Sequence, residues 1–293
     1  MQKVKQHAKA LFMLMRPWHY FKNLLVFVPA FFGGSILESW GLALIGFLSM
    51  SLASSGIYAI NDCRDAAQDR LHPEKCRRPV ASGEVSQAEA AVLAGLCIAA
   101  SLLLLLAVSA PGISLLPLAL YIAVNILYSV LGFKNIPIVD VTIVALGFVL
   151  RVLFGGLLAG VQVSDWLLLT VMMGSYYMAL GKRRNELRDA KKKTRAVLAH
   201  YSYEFLDKQM YLFLTLAVAF YSLWSVDART APHTVLTVPL VLLLLMRYSL
   251  VVEGESSADP IEVILHDRML IVLAVLYAAL MFALIYLQGG AAA

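Results

Sequence analysis

The residues best suited to chemistry lie in one short segment, Asn61-Asp62-x-x-Asp65-x-x-x-Asp69. On a helix with 3.6 residues per turn, positions 62, 65 and 69 share one face, and positions 61, 65 and 69 are four residues apart. Three carboxylates on one face repel one another unless a cation binds there. Oxygen ligands suit Mg²⁺, which typically binds through one or two carboxylates plus substrate phosphates. The segment therefore predicts a magnesium site in which Asp62, Asp65 and Asp69 are metal-binding and catalytic, with Asn61 contacting substrate; the alternative is a solvated acidic helix end.

Cations follow the acidic segment directly, at Lys75, Arg77 and Arg78. Arginine matches phosphate oxygens with two parallel hydrogen bonds, whereas lysine acts as a point charge. Acidic groups for a metal beside basic groups for phosphate predict a site that stabilises a diphosphate leaving group. An alternative is that these cations only contact anionic lipid headgroups, which explains the positive charge but not the neighbouring acids.

The composition predicts that these groups are held by membrane helices. Of 293 residues, 60% are hydrophobic and 15% are charged, and the mean hydropathy is +0.77, whereas soluble domains carry about 25% charged residues. Apolar runs of roughly 20 residues are long enough to cross a bilayer. We predict an all-α integral membrane protein with one polytopic domain over 1–293 and about nine transmembrane helices, at 21–37, 40–60, 88–108, 112–131, 138–160, 163–181, 209–226, 232–252 and 269–288.

The distribution of basic residues predicts the orientation. Of 24 Lys and Arg residues, Arg229 falls in a predicted external loop and Arg151 within a span, while the other 22 lie on the cytoplasmic side or at its membrane edge. By the positive-inside rule the N-terminus and the candidate site are cytoplasmic, in the cell membrane. Residues 1–16 favour an amphipathic interfacial helix. The charged segments 61–87, 182–208 and 253–268 are predicted to form cytoplasmic helical caps, and Ser86 and Glu89 to form a capping box.

The acidic segment on a nine-span helical chain resembles the UbiA-type prenyltransferase superfamily. Its continuation, Asp69-Arg70-Leu71-His72-Pro73-x-Lys75-x-Arg77-Arg78-Pro79-x-Ala81-Ser82-Gly83, looks like the decaprenyl-phosphate phosphoribosyltransferase branch. The same holds for Arg16-Pro17-Trp18-His19-Tyr20-Phe21-Lys22-Asn23 and for Lys182-Arg183-Arg184-x-Glu186-Leu187. The resemblance implies Mg²⁺-dependent transfer of 5-phosphoribose from phosphoribosyl diphosphate to a polyprenyl phosphate, with release of diphosphate.

Further predicted substrate contacts come from charged and aromatic residues near the cytoplasmic edge. Asp140 and Arg151 are eleven residues apart and share a helix face, but about 16 Å of rise separates them, so they cannot pair directly. Arg151 must then find another partner or a wet cavity, since a lone charge in hydrocarbon is costly. The superfamily's second acidic motif, expected after the sixth span, is sparse here. The remaining predicted substrate contacts are Lys22, Asn23, Tyr128, Lys134, Lys182 and Arg183.

Two other functions stay open at this point. A prenyltransferase that moves a polyprenyl group from its diphosphate to an aromatic acceptor would use the same metal chemistry. A transporter would place charges along the spans, whereas here they concentrate at one membrane face. We expect membrane association, no nucleic-acid partner and a possible homo-oligomer.

Overall fold

The computed structural model describes residues 2–108, 110–188, 196–227, 231–254 and 266–288, and all regular structure within these ranges is helical. The α-helices are α1 (Gln2–Met15), α2 (Val28–Phe32), α3 (Ile36–Asp69), α4 (Pro79–Ser82), α5 (Gln87–Ala107), α6 (Leu115–Val130), α7 (Val139–Ala159), α8 (Asp165–Arg188), α9 (Tyr203–Ser225), α10 (Val238–Gly254) and α11 (Arg268–Phe282). Short 3-10 helices lie at Pro17–Phe27, Lys75–Arg77, Gly112–Ser114, Phe133–Asn135, Ala196–His200 and Thr234–Thr237, and a π-helix at Ala283–Gln288 continues α11.

Six helices of the described chain are long and apolar enough to cross a membrane, so the chain is a multi-pass membrane protein. They are Ile36–Asp69, Gln87–Ala107, Gly112–Val130, Val139–Ala159, Thr234–Glu253 and Arg268–Leu287. α8 and α9 cover the predicted spans 163–181 and 209–226 but are not among the six.

The first predicted span, 21–37, is not one continuous helix, so the prediction of nine spanning helices is not confirmed. A 3-10 helix that starts at Pro17 gives way to the five-residue α2, which ends in a turn at Gly33 and Gly34. Within the predicted span, Pro29 lacks a backbone N–H group, and Gly34 has a φ of +75°, which a helix cannot contain.

The chain divides into two compact units. The first comprises Met1–Lys134 and Leu150–Gln162, and the second comprises Asn135–Val149 and Val163–Ala293. In the first unit α3 is central, because 61% of its most apolar stretch is buried against 28% for α5. Its core includes Met50, Ile57 and Phe154, and the core of the second unit includes Tyr177, Leu206 and Tyr248.

Two helix ends are set by residues close together in the chain: the start of α5 and the end of α3. The Ser86 backbone N–H donates to Glu89 Oε2 at 2.8 Å, and the Glu89 N–H donates to Ser86 Oγ at 3.2 Å, so the predicted capping box is confirmed at the start of α5. α3 has 34 residues, which gives a length of roughly 51 Å against a hydrocarbon core of about 30 Å. The helix is therefore longer than the bilayer core, and its last turns carry the acidic residues.

Gly155 of α7 lets the helix pack against the backbone of the 3-10 helix Pro17–Phe27. A Cβ at Gly155 would lie 2.0 Å from the carbonyl oxygen of Val26. We expect Gly155→Ala to lower the free energy of unfolding by about 3 kcal/mol, because the clash is with backbone. Thermal unfolding in detergent measures this. Gly95→Ala is the matched control, since nothing lies within 4 Å of that Cβ, and equal melting temperatures for the two variants would contradict the packing argument.

Candidate active site

The acidic cluster, defined as Asn61, Asp62, Asp65 and Asp69, lies on the last three turns of α3. Asp62 and Asp69 are 2% and 4% exposed, whereas the Asp65 side chain is 30% exposed. α3 ends at Asp69, and the chain turns at His72 and Pro73. The cluster is thus partly withdrawn from water. Ionised carboxylates in such an environment need counter-charges.

Each carboxylate of the cluster is paired with a basic side chain of the same unit. Arg16 Nη2 donates to Asp62 Oδ1 at 2.5 Å, and Lys134 Nζ donates to Asp65 Oδ1 at 2.5 Å. Arg78 Nη1 bridges two acids, at 2.6 Å from Asp69 Oδ2 and 3.4 Å from Asp62 Oδ1. Three negative and three positive groups therefore balance one another.

The acceptor atoms of the cluster fit a hard cation that brings ligands of its own. Asn61 Oδ1 and Asp62 Oδ2 are both buried and have no hydrogen-bond partner in the described chain. Among the described residues no three acidic, His or Cys side chains converge into a ready-made metal site. The carboxylates of the cluster instead contact Arg16, Arg78 and Lys134. Mg²⁺ suits such a site, since it usually completes its octahedron with water and substrate phosphates.

The turn after α3 is held by His72. Its Nδ1 accepts the backbone N–H groups of Glu74 at 3.1 Å and Lys75 at 3.3 Å. Burial, and secondarily the nearby Lys75 charge, lowers the pKa of His72, which favours the neutral imidazole that can accept these bonds. Arg78 at the start of α4 contacts the acids, Arg77 is exposed and Lys75 is partly exposed.

A buried polar network surrounds Arg151 in the first unit. Arg151 Nε donates to Asn23 Oδ1 at 2.7 Å, and its Nη2 donates to the Tyr121 hydroxyl at 3.0 Å. The guanidinium carbon also lies 4.7 Å from the centre of the Tyr121 ring, a distance at which cations are attracted to aromatic faces. Lys22, next to Asn23, is partly exposed, as is Tyr128 on α6.

The second unit contains a buried ionic cluster. Arg183 Nε donates to Asp140 Oδ2 at 2.5 Å and its Nη1 donates to Glu186 Oε2 at 2.8 Å. The Tyr201 hydroxyl donates to Asp140 Oδ1 at 2.6 Å and accepts the Ile138 N–H at 2.6 Å. Burial, followed by the hydrogen bond to Asp140, raises the pKa of Tyr201. Asp140 and Arg183, both predicted substrate contacts, thus contact each other, while Lys182 is partly exposed.

Of the third predicted cap, 253–268, the structure describes residues 253–254 and 266–268. Asp259 and Glu262 lie outside the described residues. Asp267 is the N-cap of α11: its Oδ1 accepts the Leu270 N–H at 2.8 Å, and its Oδ2 accepts from Arg247 Nη2 at 2.6 Å. The role of Asp267 is therefore to join α10 and α11.

The Asp267 pair predicts a pH-dependent contribution to stability. The Arg247 hydrogen bonds, and then the Leu270 N–H, lower the pKa of Asp267 below its usual 3.8. A carboxyl with a depressed folded-state pKa stabilises the fold above its unfolded pKa and loses that contribution as the pH falls. We expect Asp267→Asn to melt below wild type at pH 7, with a difference that shrinks below pH of about 4. A constant difference across a pH series of thermal unfolding would contradict the pair's role.

Several residues of these networks, among them Arg16, Tyr121 and Tyr201, had no assigned role in the sequence predictions. Arg16 stands in the segment that precedes Lys22. Its predicted position at the membrane edge was the one local feature that could have indicated a role in the site. Tyr121 and Tyr201 contact Arg151 and Asp140 across 30 and 61 positions of the chain. No local pattern marks such distant partners.

Comparisons with known proteins agree with the all-helical membrane fold. Residues 24–274 match the model of the UbiA prenyltransferase family. A decaprenyl-phosphate phosphoribosyltransferase of Mycolicibacterium smegmatis is 33% identical over 96% of this chain and 94% of its own length. One from Corynebacterium glutamicum is 30% identical over 98% of this chain and 90% of its own length.

Among solved structures, a UbiA homolog from Archaeoglobus fulgidus bound to GPP and Mg²⁺ is similar with a TM-score of 0.75. It is 21% identical, and the match covers 94% of this chain and 99% of the homolog. At this identity the likeness supports the fold alone.

Proposed function

The chain belongs to the UbiA prenyltransferase family, a family of transferases, and we propose that it transfers 5-phosphoribose from phosphoribosyl diphosphate to a polyprenyl phosphate. The observation that carries the proposal is the acidic cluster with its three basic partners, which suits a magnesium-bound diphosphate. The names and full-length similarity of the mycobacterial and corynebacterial relatives support phosphoribosyl transfer in particular.

In this proposal the acidic cluster holds the donor's diphosphate end. Asp62, Asp65 and Asp69, with the side-chain oxygen of Asn61 beside them, would hold Mg²⁺, which would supply charge neutralisation of the diphosphate leaving group. Arg78 and Lys134 provide fixed positive charge at the same place, and Lys75 and Arg77 lie on the adjoining turn. The acceptor phosphate is already an anionic nucleophile, so a strong general base is unnecessary. The sugar carries oxocarbenium character, as in glycosyl transfer.

The placement of charge supports a reaction at the cytoplasmic face of the cell membrane. The acidic cluster ends a helix longer than the bilayer core, and the basic residues concentrate at the same edge. The long apolar helices offer a surface for the polyprenyl chain. Lys22, Asn23, Tyr128, Asp140, Arg151, Lys182 and Arg183 stay predicted substrate contacts.

Transfer of radiolabel tests the proposal. Membranes that contain the chain are given phosphoribosyl diphosphate labelled in the ribose, together with a polyprenyl phosphate and Mg²⁺. We expect a labelled lipid that forms only with both substrates. No labelled lipid, with a prenylated aromatic acid formed from a polyprenyl diphosphate, would instead establish the prenyltransferase alternative. Flux into proteoliposomes without bond breakage would establish a transporter.

A further inference from the structure

Arg16 stands beside the acidic cluster in an unusual backbone conformation. Its φ is +53° and its ψ is +58°, a left-handed conformation that few residues other than Gly adopt and that costs about 1–3 kcal/mol. The residue links α1 to the following 3-10 helix. This geometry directs the guanidinium to Asp62 Oδ1 at 2.5 Å, with its carbon 5.1 Å from the centre of the Tyr58 ring. The side chain is 16% exposed.

The net charge of the acidic cluster and its basic partners determines which ligands the site attracts. Arg16, Arg78 and Lys134 balance the charges of Asp62, Asp65 and Asp69. A site without net charge attracts a bare divalent cation weakly, and each fixed cation nearby repels it. A metal–diphosphate complex with net negative charge is attracted by the same cations, and an arginine offers five N–H donors for its phosphate oxygens.

We propose that Arg16 is a specificity-determining residue that makes the acidic cluster prefer a metal–diphosphate complex over the bare metal ion. Its guanidinium holds Asp62 by Oδ1, which leaves the buried Oδ2 for the metal. Its positive charge opposes the metal alone and favours the diphosphate. The inference rests on the proposed function only in that the donor carries a diphosphate, which both phosphoribosyl and prenyl donors do.

The test measures binding of two probes to the full chain in detergent. Mn²⁺ alone is titrated by electron paramagnetic resonance, and inorganic diphosphate is titrated by calorimetry at saturating Mn²⁺. For Arg16→Gln we expect Mn²⁺ alone to bind roughly tenfold more tightly, because a like charge has been removed. We expect diphosphate to bind at least about tenfold more weakly, because a charge-assisted hydrogen bond is lost.

Arg64→Gln is the matched control. Arg64 precedes Asp65 in the sequence but is exposed and donates to the Val130 carbonyl oxygen at 3.3 Å. The Arg64→Gln variant has the same change of net charge as Arg16→Gln. We expect neither its Mn²⁺ affinity nor its diphosphate affinity to change by more than about twofold. Arg16→Lys keeps the positive charge but loses the planar guanidinium with its paired N–H donors. Its Mn²⁺ affinity should therefore stay near wild type while its diphosphate affinity falls.

Opposite changes in the two affinities support the proposal. Unchanged or jointly weakened affinities in Arg16→Gln, as a purely structural residue would give, overturn it. If Arg16→Gln does not fold, wild-type diphosphate affinity in Arg16→Lys overturns it as well. Failure of the labelled-ribose assay with opposite changes in affinity would reject the donor sugar and leave the role of Arg16 intact.

Discussion

Asp65→Asn is expected to abolish transfer of labelled ribose while leaving the protein folded. Asp65 is the most exposed carboxylate of the acidic cluster, and its contact with Lys134 Nζ survives in part because asparagine keeps the accepting oxygen. The substitution removes one negative charge from the proposed magnesium site, and we expect turnover to fall by more than about 100-fold. The rate of formation of labelled lipid at saturating Mg²⁺ measures the effect, and thermal unfolding checks the fold.

Glu74→Gln is the control for that substitution. Glu74 is exposed on the turn that follows the acidic cluster, and the change removes the same charge without altering the cluster. We expect its turnover to stay within about twofold of wild type. Wild-type turnover in Asp65→Asn at matched Mg²⁺ would remove Asp65 from the reaction.

Arg183→Met is expected to destabilise the second unit severely. Arg183 is 2% exposed and donates to both Asp140 and Glu186. Methionine fills much of the volume but leaves two buried carboxylates without their shared cation. Breaking a buried pair in this way costs about 3–5 kcal/mol, which lowers the melting temperature by roughly 10 °C in a chain of this size. Differential scanning fluorimetry in detergent measures the shift.

Arg188→Met separates this effect from a general loss of charge. Arg188 lies on the same helix but is exposed, and it donates to the Glu253 carbonyl oxygen at 2.7 Å. We expect a change within about 0.5 kcal/mol. A melting temperature for Arg183→Met that equals that of Arg188→Met would show that the buried cluster contributes little to folding.

The sequence determines those features that depend on residues close together in the chain. The four-residue spacing from Asn61 to Asp69 places the cluster on one helix face, because an α-helix repeats every 3.6 residues. Ser86 and Glu89 start α5 through a reciprocal hydrogen bond that three residues of spacing allow. Apolar runs of about 20 residues specify membrane helices in the same way.

One local feature misled the prediction. The apolar run at 21–37 reads as a span, but Pro29 removes a backbone donor within it, and Gly34 adopts a positive φ. These residues break the run into a 3-10 helix and the short α2. Hydropathy counts the side chains and is insensitive to the missing backbone hydrogen bonds.

Only the tertiary structure decided which cation meets which acid. Arg16 reaches Asp62 across 46 positions, Lys134 reaches Asp65 across 69, and Arg183 reaches Asp140 across 43. Side chains this far apart meet through helix packing, whose geometry depends on contacts along the whole helix and is not written in any local pattern. The acidic cluster at 61–69 was thus evident from the sequence, whereas its balance of charge was set by the fold.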